Sequence, residues 1–249
     1  GNLTEKTNGL GEKEQYAYDE NNRLSRLTRA DGNSIRYDYN KLDELLKKEY
    51  SEKADGQVLY AYDPDGRRVS MEDLTGTTSY EYDETGRITG LQQGDGSVIR
   101  YRYDSFGNLA SLTYPDGSSV SYEYDALDRL VQVTDREGKK TRYTYDKAGN
   151  MVKVSRANGT SAKVSYDSAG QVTEVQNMDK KGKPQSSYRY GYDLSGSIQT
   201  EEIRTSDGKG HKTAVIWSYT YDSAGQLTGA EKRDKDGTLL ETTVYGYDG

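Results

Sequence analysis

The chain has no cysteine, one histidine, one tryptophan, one phenylalanine and three prolines among 249 residues. Without cysteine there are no disulfides, no thiol nucleophile and no zinc–thiolate site. With a single histidine, His211, a His-based zinc site or a Cys/His nucleophile pair is also excluded. Cysteine usage fits both a reducing compartment and a secreted repeat protein, so it does not decide location. No apolar run approaches the ~20 residues of a membrane helix; the longest is Ala214-Val215-Ile216-Trp217. No signal peptide or lipidation box is present, and the sequence predicts no membrane insertion by this segment. Basic residues are interspersed with acidic ones at a net charge of −7. Nucleic-acid binding, which calls for a clustered basic face, is therefore not expected.

Hydrophobic residues make up only 32% of the chain and charged ones 30%, a balance that by itself points to disorder. Tyrosine reverses that reading. Of 24 tyrosines, 21 fall in regularly spaced anchors, and only Tyr50, Tyr114 and Tyr188 lie outside them. A tyrosine can bury roughly 150–250 Å², so a periodic array of rings substitutes for the missing Leu and Ile and predicts a core made of tyrosine. The anchors end at Asp19, Asn40, Asp63, Asp83, Asp104, Asp125, Asp146, Asp167, Asp193, Asp222 and Asp248, 20–23 residues apart as far as Asp167 and 26–29 beyond it. A fixed period of this length marks a repeat architecture.

Within a unit such as Ser97 to Gly117, Ile99, Tyr101 and Tyr103 alternate with Val98, Arg100 and Arg102. That period of two predicts a strand with its large residues on one face. A turn follows, Asp104-Ser105-Phe106-Gly107. Its fourth position is Gly in seven units and Asn22, Asp43 or Asp128 in the other three, the non-Gly types that best tolerate positive φ. The opening Asp is expected to accept a bond from a main-chain N–H two or three residues on. In the second strand Leu109 and Leu112 are three apart, as are Leu130/Val133, Met151/Val154 and Val172/Val175. Strict alternation forbids that spacing, so a β-bulge or a change of face is predicted. Asp-Gly, Glu-Gly or Asn-Gly pairs, among them Asp31-Gly32, Asp55-Gly56, Asp116-Gly117 and Asp207-Gly208, close most units as hairpins.

The expected architecture is all-β: a repetitive β-hairpin meander of some twenty strands. Residues 1–15 read as part of a preceding repeat, and 16–248 as a single array of about ten repeats. The last three units are stretched to 26–29 residues, and the added length is expected in loops or lengthened hairpins. The chain opens at Gly1 and stops one residue past an anchor Asp, which reads as a segment of a longer protein.

The unit Tyr80-Glu81-Tyr82-Asp83-Glu84-Thr85-Gly86-Arg87-Ile88 resembles the tyrosine-aspartate (YD) repeat of the rearrangement-hotspot (Rhs) family, and the resemblance runs from Tyr16 to Asp248. That family includes bacterial wall-associated and polymorphic toxin proteins, insecticidal toxin shells and teneurins. The resemblance implies a β-sheet strip wound as a spiral, a segment of shell wall in a secreted or cell-surface bacterial protein. It implies as partners the rest of the shell and an enclosed C-terminal toxin or effector. The family's shell-closing and self-cleavage region is absent: Asp63-Pro64-Asp65-Gly66 is followed by Arg67, as in an ordinary anchor turn.

No catalytic, cofactor-binding or metal-binding residue stands out, and no enzyme activity is expected. His211 sits in a polar stretch that reads as a solvated loop. Asp63-Pro64-Asp65-Gly66 and Asp234-Lys235-Asp236-Gly237 begin like calcium loops, but the twelfth positions are Leu74 and Tyr245 rather than Glu. The alternative to a shell segment is a surface module whose Tyr-rich face binds cell-surface carbohydrate or a partner protein. The tyrosine rings are expected to pack against those of neighbouring strands and hold the sheet together; the alternative is a semi-polar face of Tyr and Arg that lines a wetted cavity.

Overall fold

A computed structural model describes residues 1–52, 56–206 and 212–247. Internal packing divides the chain into two units, Gly1–Ser119 and Val120–Gly249. The first carries β1 (Glu5–Thr7), β2 (Lys13–Tyr18), β3 (Leu24–Thr28), β4 (Ser34–Tyr39), β5 (Leu45–Tyr50) and β6 (Gln57–Tyr62). It continues with β7 (Arg68–Asp73), β8 (Gly76–Tyr82), β9 (Ile88–Gln92), β10 (Val98–Tyr103) and β11 (Leu109–Thr113). The second holds β12 (Ser119–Tyr124), β13 (Leu130–Thr134), β14 (Lys140–Tyr145), β15 (Met151–Ser155), β16 (Ser161–Tyr166) and β17 (Val172–Met178). It ends with β18 (Pro184–Tyr192), β19 (Ile198–Ser206), β20 (Lys212–Tyr221), β21 (Leu227–Asp234) and β22 (Leu239–Val244). In each unit every strand pairs antiparallel with its chain neighbours, giving the expected all-β meander.

The anchor turns explain why the motif reads as it does. In all ten anchor turns of the described residues, the N–H of the anchor residue bonds the carbonyl four residues on, as Asp104 does to Asn108 at 2.9 Å. The N–H three residues on returns to the anchor's carbonyl, as Gly107 does to Asp104 at 3.2 Å. This is a type I turn followed by a left-handed residue, a three-residue hairpin loop. The fourth position has φ of 77–95° where it is Gly, and 61°, 64° and 57° at Asn22, Asp43 and Asp128. The left-handed requirement read from the substitutions is therefore met at every one of them.

One detail differs from expectation. The Asp104 carboxylate accepts from the N–H groups two and four residues on, Phe106 and Asn108, both at 2.9 Å, not three. The third N–H is already committed to the main chain. The Asp-Gly turns use the same closure, as between Tyr114 and Ser118; Asp55 and the pair Asp207-Gly208 lie outside the described residues.

The predicted bulge is present at the anchor hairpins. Tyr103 lies opposite Leu109 and Arg102 opposite Ser111, so Ala110 is the extra residue. With one residue inserted, Leu109 and Leu112 both come to lie opposite tyrosines, Tyr103 and Tyr101. The same shift aligns Leu130 with Tyr124 and Val133 with Tyr122, and Met151 with Tyr145 and Val154 with Tyr143. Three-residue spacing thus keeps both aliphatics on the tyrosine face. In the stretched units the added residues lengthen strands: β18, β19 and β20 have 9, 9 and 10 residues.

The expectation of a tyrosine core needs correction. Among the described residues each strand packs beside its chain neighbours, and burial is too low for a second layer to cover either face within a unit. Among the described residues only Ile35, Ala162, Met178 and Ala230 are buried hydrophobics, and none has a fully buried large side chain. The tyrosines of β2 to β20 are half-buried, with their alternating neighbours mostly exposed. A ring lying on a single-layer sheet is covered by its neighbours in the face and by nothing above. Stability in such a structure must come from repeated near-neighbour contacts.

Candidate functional site: a ladder between successive turns

In ten of the anchors the second tyrosine reaches one repeat back. The hydroxyl of Tyr103 donates to the Ile88 carbonyl at 2.9 Å, Tyr145 to Leu130 at 2.8 Å and Tyr166 to Met151 at 2.9 Å. Tyr18, Tyr39, Tyr62, Tyr82, Tyr192, Tyr221 and Tyr247 make the corresponding bond to Leu3, Leu24, Leu45, Arg68, Val172, Ile198 and Leu227. Apart from Leu3, each acceptor lies two residues beyond the left-handed residue of the preceding anchor turn. The ring supplies apolar area and the hydroxyl satisfies a main-chain acceptor.

Where Arg follows the left-handed residue, it links one turn to the next. The Nε of Arg23, Arg67, Arg87 and Arg129 donates to the carboxylate of Asp19, Asp63, Asp83 and Asp125 at 2.6–2.8 Å. The same guanidinium groups lie over the rings of Tyr39, Tyr82, Tyr103 and Tyr145 in the following repeat, at 4.8, 5.4, 4.5 and 4.7 Å. Arg23 and Arg129 also donate to the carbonyls of Asn40 and Asp146, the next anchor residues, at 2.8 and 3.3 Å. Such cation–π contacts are worth about 0.5–1 kcal/mol when exposed. Sequence reading identified this Arg as part of a motif but missed its reach into the next unit. The signal was its restriction to Arg, Asn, Gln and a few others directly after the turn.

The electrostatics follow from these bonds. The Thr85 hydroxyl and main-chain N–H groups hold Asp83 well below the carboxylate range. The Asn150 N–H lowers Asp146, and the Arg129 side chain lowers Asp125. A carboxylate depressed on folding contributes stability that is complete above its unfolded value of ~3.9 and lost as pH falls through the folded value. On the alkaline side, burial and then the nearby Glu201 carboxylate push Tyr219 up to about 12, and burial raises Tyr37 and Tyr60. Their contribution is present below the unfolded value of ~10 and lost as pH rises through the folded one. The melting temperature is accordingly expected to be level between about pH 5 and 9, and to fall steeply below about pH 3.9 and above about pH 10. Circular-dichroism melts across that range test this; a melting temperature unchanged from pH 5 to 2 would remove the carboxylates from the account.

The two calcium-like stretches are ordinary turns. Asp63 accepts from the N–H groups of Asp65 and Arg67, and Arg67 pairs with both carboxylates. Asp234 accepts from Asp236 and Thr238. Among the described residues no group of three or more His, Asp or Glu is placed to hold a metal ion. His211 lies outside them. No described helix is long and apolar enough to cross a membrane.

The RHS repeat family model matches residues 1–34, 62–98, 82–119, 103–140 and 124–161, together more than half of the chain. No curated protein sequence matches it. Among solved structures, the chain is similar to one described as TcdB2-TccC3-TEV, with a TM-score of 0.63 at 15% identity, over 93% of this chain and 16% of that one. The structures described as TcdB2-TccC3-Cdc42 and TcdB2-TccC3 give 0.51 each at 15% identity, over 91% and 95% of this chain and 16% and 17% of theirs. The chain thus spans about a sixth of the proteins whose fold it shares. The repeated Tyr-x-Tyr-Asp-x-x-Gly units, the bulged hairpins they form and the family match together place this chain in the RHS repeat family.

Proposed function

We infer that this chain is a non-catalytic wall segment of an RHS-type shell that encloses or displays a C-terminal toxin or effector in a secreted or cell-surface bacterial protein. The observation that carries this reading is the single-layer sheet of each unit, locked turn to turn by tyrosine hydroxyls rather than by a buried core. A wall needs accessible faces and a connection that recurs from repeat to repeat, and the half-buried faces and recurring tyrosine bonds support that reading. A semi-polar tyrosine face suits a wetted interior. Residues 16–248 would act as one array, with the remainder of the shell as partner. No observation favours the carbohydrate-binding alternative.

Limited proteolysis of the full-length protein carrying this segment tests the proposal. The polypeptide C-terminal to the repeats is expected to resist protease while the repeats are folded, and to be cut once they unfold. Cleavage of that polypeptide at the same rate in intact and unfolded protein would overturn it.

A further inference from the structure

The repeat provides its own reference for a vacant position. In the four Arg-bearing units, a guanidinium fills the space between two successive turns. It is held by the carboxylate of the first turn and the tyrosine ring of the second, and twice also by the anchor carbonyl of the second. In the unit anchored at Asp193 the corresponding residue is Ser197, the smallest side chain found there. Between that turn and the next lies a cleft of ≈ 580 Å³, lined by Asp193, Ser195, Ser197, Tyr221, Asp222 and Gly225 among others.

The cleft retains the parts that hold the guanidinium elsewhere. The hydrogen bonds to the Asp193 side chain, from the Ser195 N–H and hydroxyl and the Ser197 N–H, all fall on Oδ1, at 2.8, 2.6 and 2.9 Å. Its Oδ2 is the atom that Arg Nε holds in the Arg units. The ring of Tyr221 is fixed in the standard place by its bond to the Ile198 carbonyl at 2.8 Å. The Asp222 carbonyl, counterpart of the Asn40 and Asp146 carbonyls, receives the Gly225 N–H at 3.0 Å and has a second lone pair available.

We propose that this cleft is a binding site for an arginine side chain supplied by a partner polypeptide, which takes the place that Arg23, Arg67, Arg87 and Arg129 occupy in their own units. Arginine is favoured over lysine because a guanidinium can pair with a carboxylate and a carbonyl through its fork of N–H donors while its plane lies on a ring, which an ammonium cannot. The site is independent of whether the segment forms a shell.

Titration of the isotopically labelled chain with Nα-acetyl-arginine amide, followed by amide NMR, tests the proposal. Saturable shifts are expected at Ser195, Ser197 and Ala224, with none at Thr85 and Gly86, where Arg87 fills the position. The lysine analogue should bind at least about tenfold more weakly. Ser197→Arg should abolish binding and raise the melting temperature. Asp193→Asn should weaken binding at least about tenfold while keeping the fold, since Asn40 already serves as a turn anchor through its Oδ1. Equal shifts at both turns, equal binding of the lysine analogue, or undiminished binding by either variant would overturn the assignment.

Discussion

Tyr145→Phe is expected to destabilise the second unit by about 1 kcal/mol and Tyr145→Ala by about 3 kcal/mol. The Phe variant removes only the hydroxyl that donates to the Leu130 carbonyl at 2.8 Å. That carbonyl is part-buried, so its loss costs more than an exposed bond would. The Ala variant also removes the ring beneath the Arg129 guanidinium, 4.7 Å from its centroid, and the ring's cover of neighbouring aliphatics. Because Tyr145 is half-buried, the cost falls at the low end of the range for a buried aromatic. Tyr143→Phe is the control: its hydroxyl makes no such bond to the main chain, and the change should stay within about 0.5 kcal/mol. Denaturant midpoints for the three variants decide the matter. Matching midpoints for the two Phe variants would show that the ladder contributes nothing.

Gly149 provides the second large effect. Its φ is 93°, and a Cβ added there would meet nothing within 4 Å. Any cost of substitution is therefore conformational. Gly149→Val should cost roughly 2 kcal/mol or more, because a β-branched residue is strongly disfavoured at positive φ. Gly149→Asn should cost less than about 1 kcal/mol, since Asn tolerates the left-handed region. Asn22, Asp43 and Asp128 already hold the same turn position at φ of 61°, 64° and 57°. Gly107 is a poorer choice, because an added Cβ would lie 3.2 Å from the Arg87 guanidinium and mix a steric cost into the result. Thermal melts that fall equally for both Gly149 variants would refute the left-handed requirement.

Much of the fold was legible in the sequence because its determinants are local. Alternation of Ile99, Tyr101 and Tyr103 gives a strand, Asp104 to Gly107 gives its reversal, and the three-residue spacing of Leu109 and Leu112 marks the bulge. Each depends on residues within one unit, so it survives in the linear pattern. The links between units were less visible. Arg87 sits in the sequence beside Ile88, and only the folded sheet shows it spanning from Asp83 to the ring of Tyr103. The Tyr103 hydroxyl likewise meets a carbonyl fifteen residues earlier. A carbonyl carries no residue identity, so no side-chain pattern could announce it.

The vacant position at Ser197 shows the same division. A serine after a turn glycine is unremarked in the sequence, and becomes informative only when four guanidinium groups are seen filling the equivalent space. By itself the sequence determined the strand period, the left-handed turn position, the bulge and the membership in a repeat family, since backbone sterics and side-chain alternation act over a few residues. Only the tertiary structure decided that the tyrosines lie half-covered on a single layer, and that their hydroxyls join one repeat to the next. Burial and contacts across repeats depend on what stands above a face and beside a turn, which near-neighbour pattern does not contain.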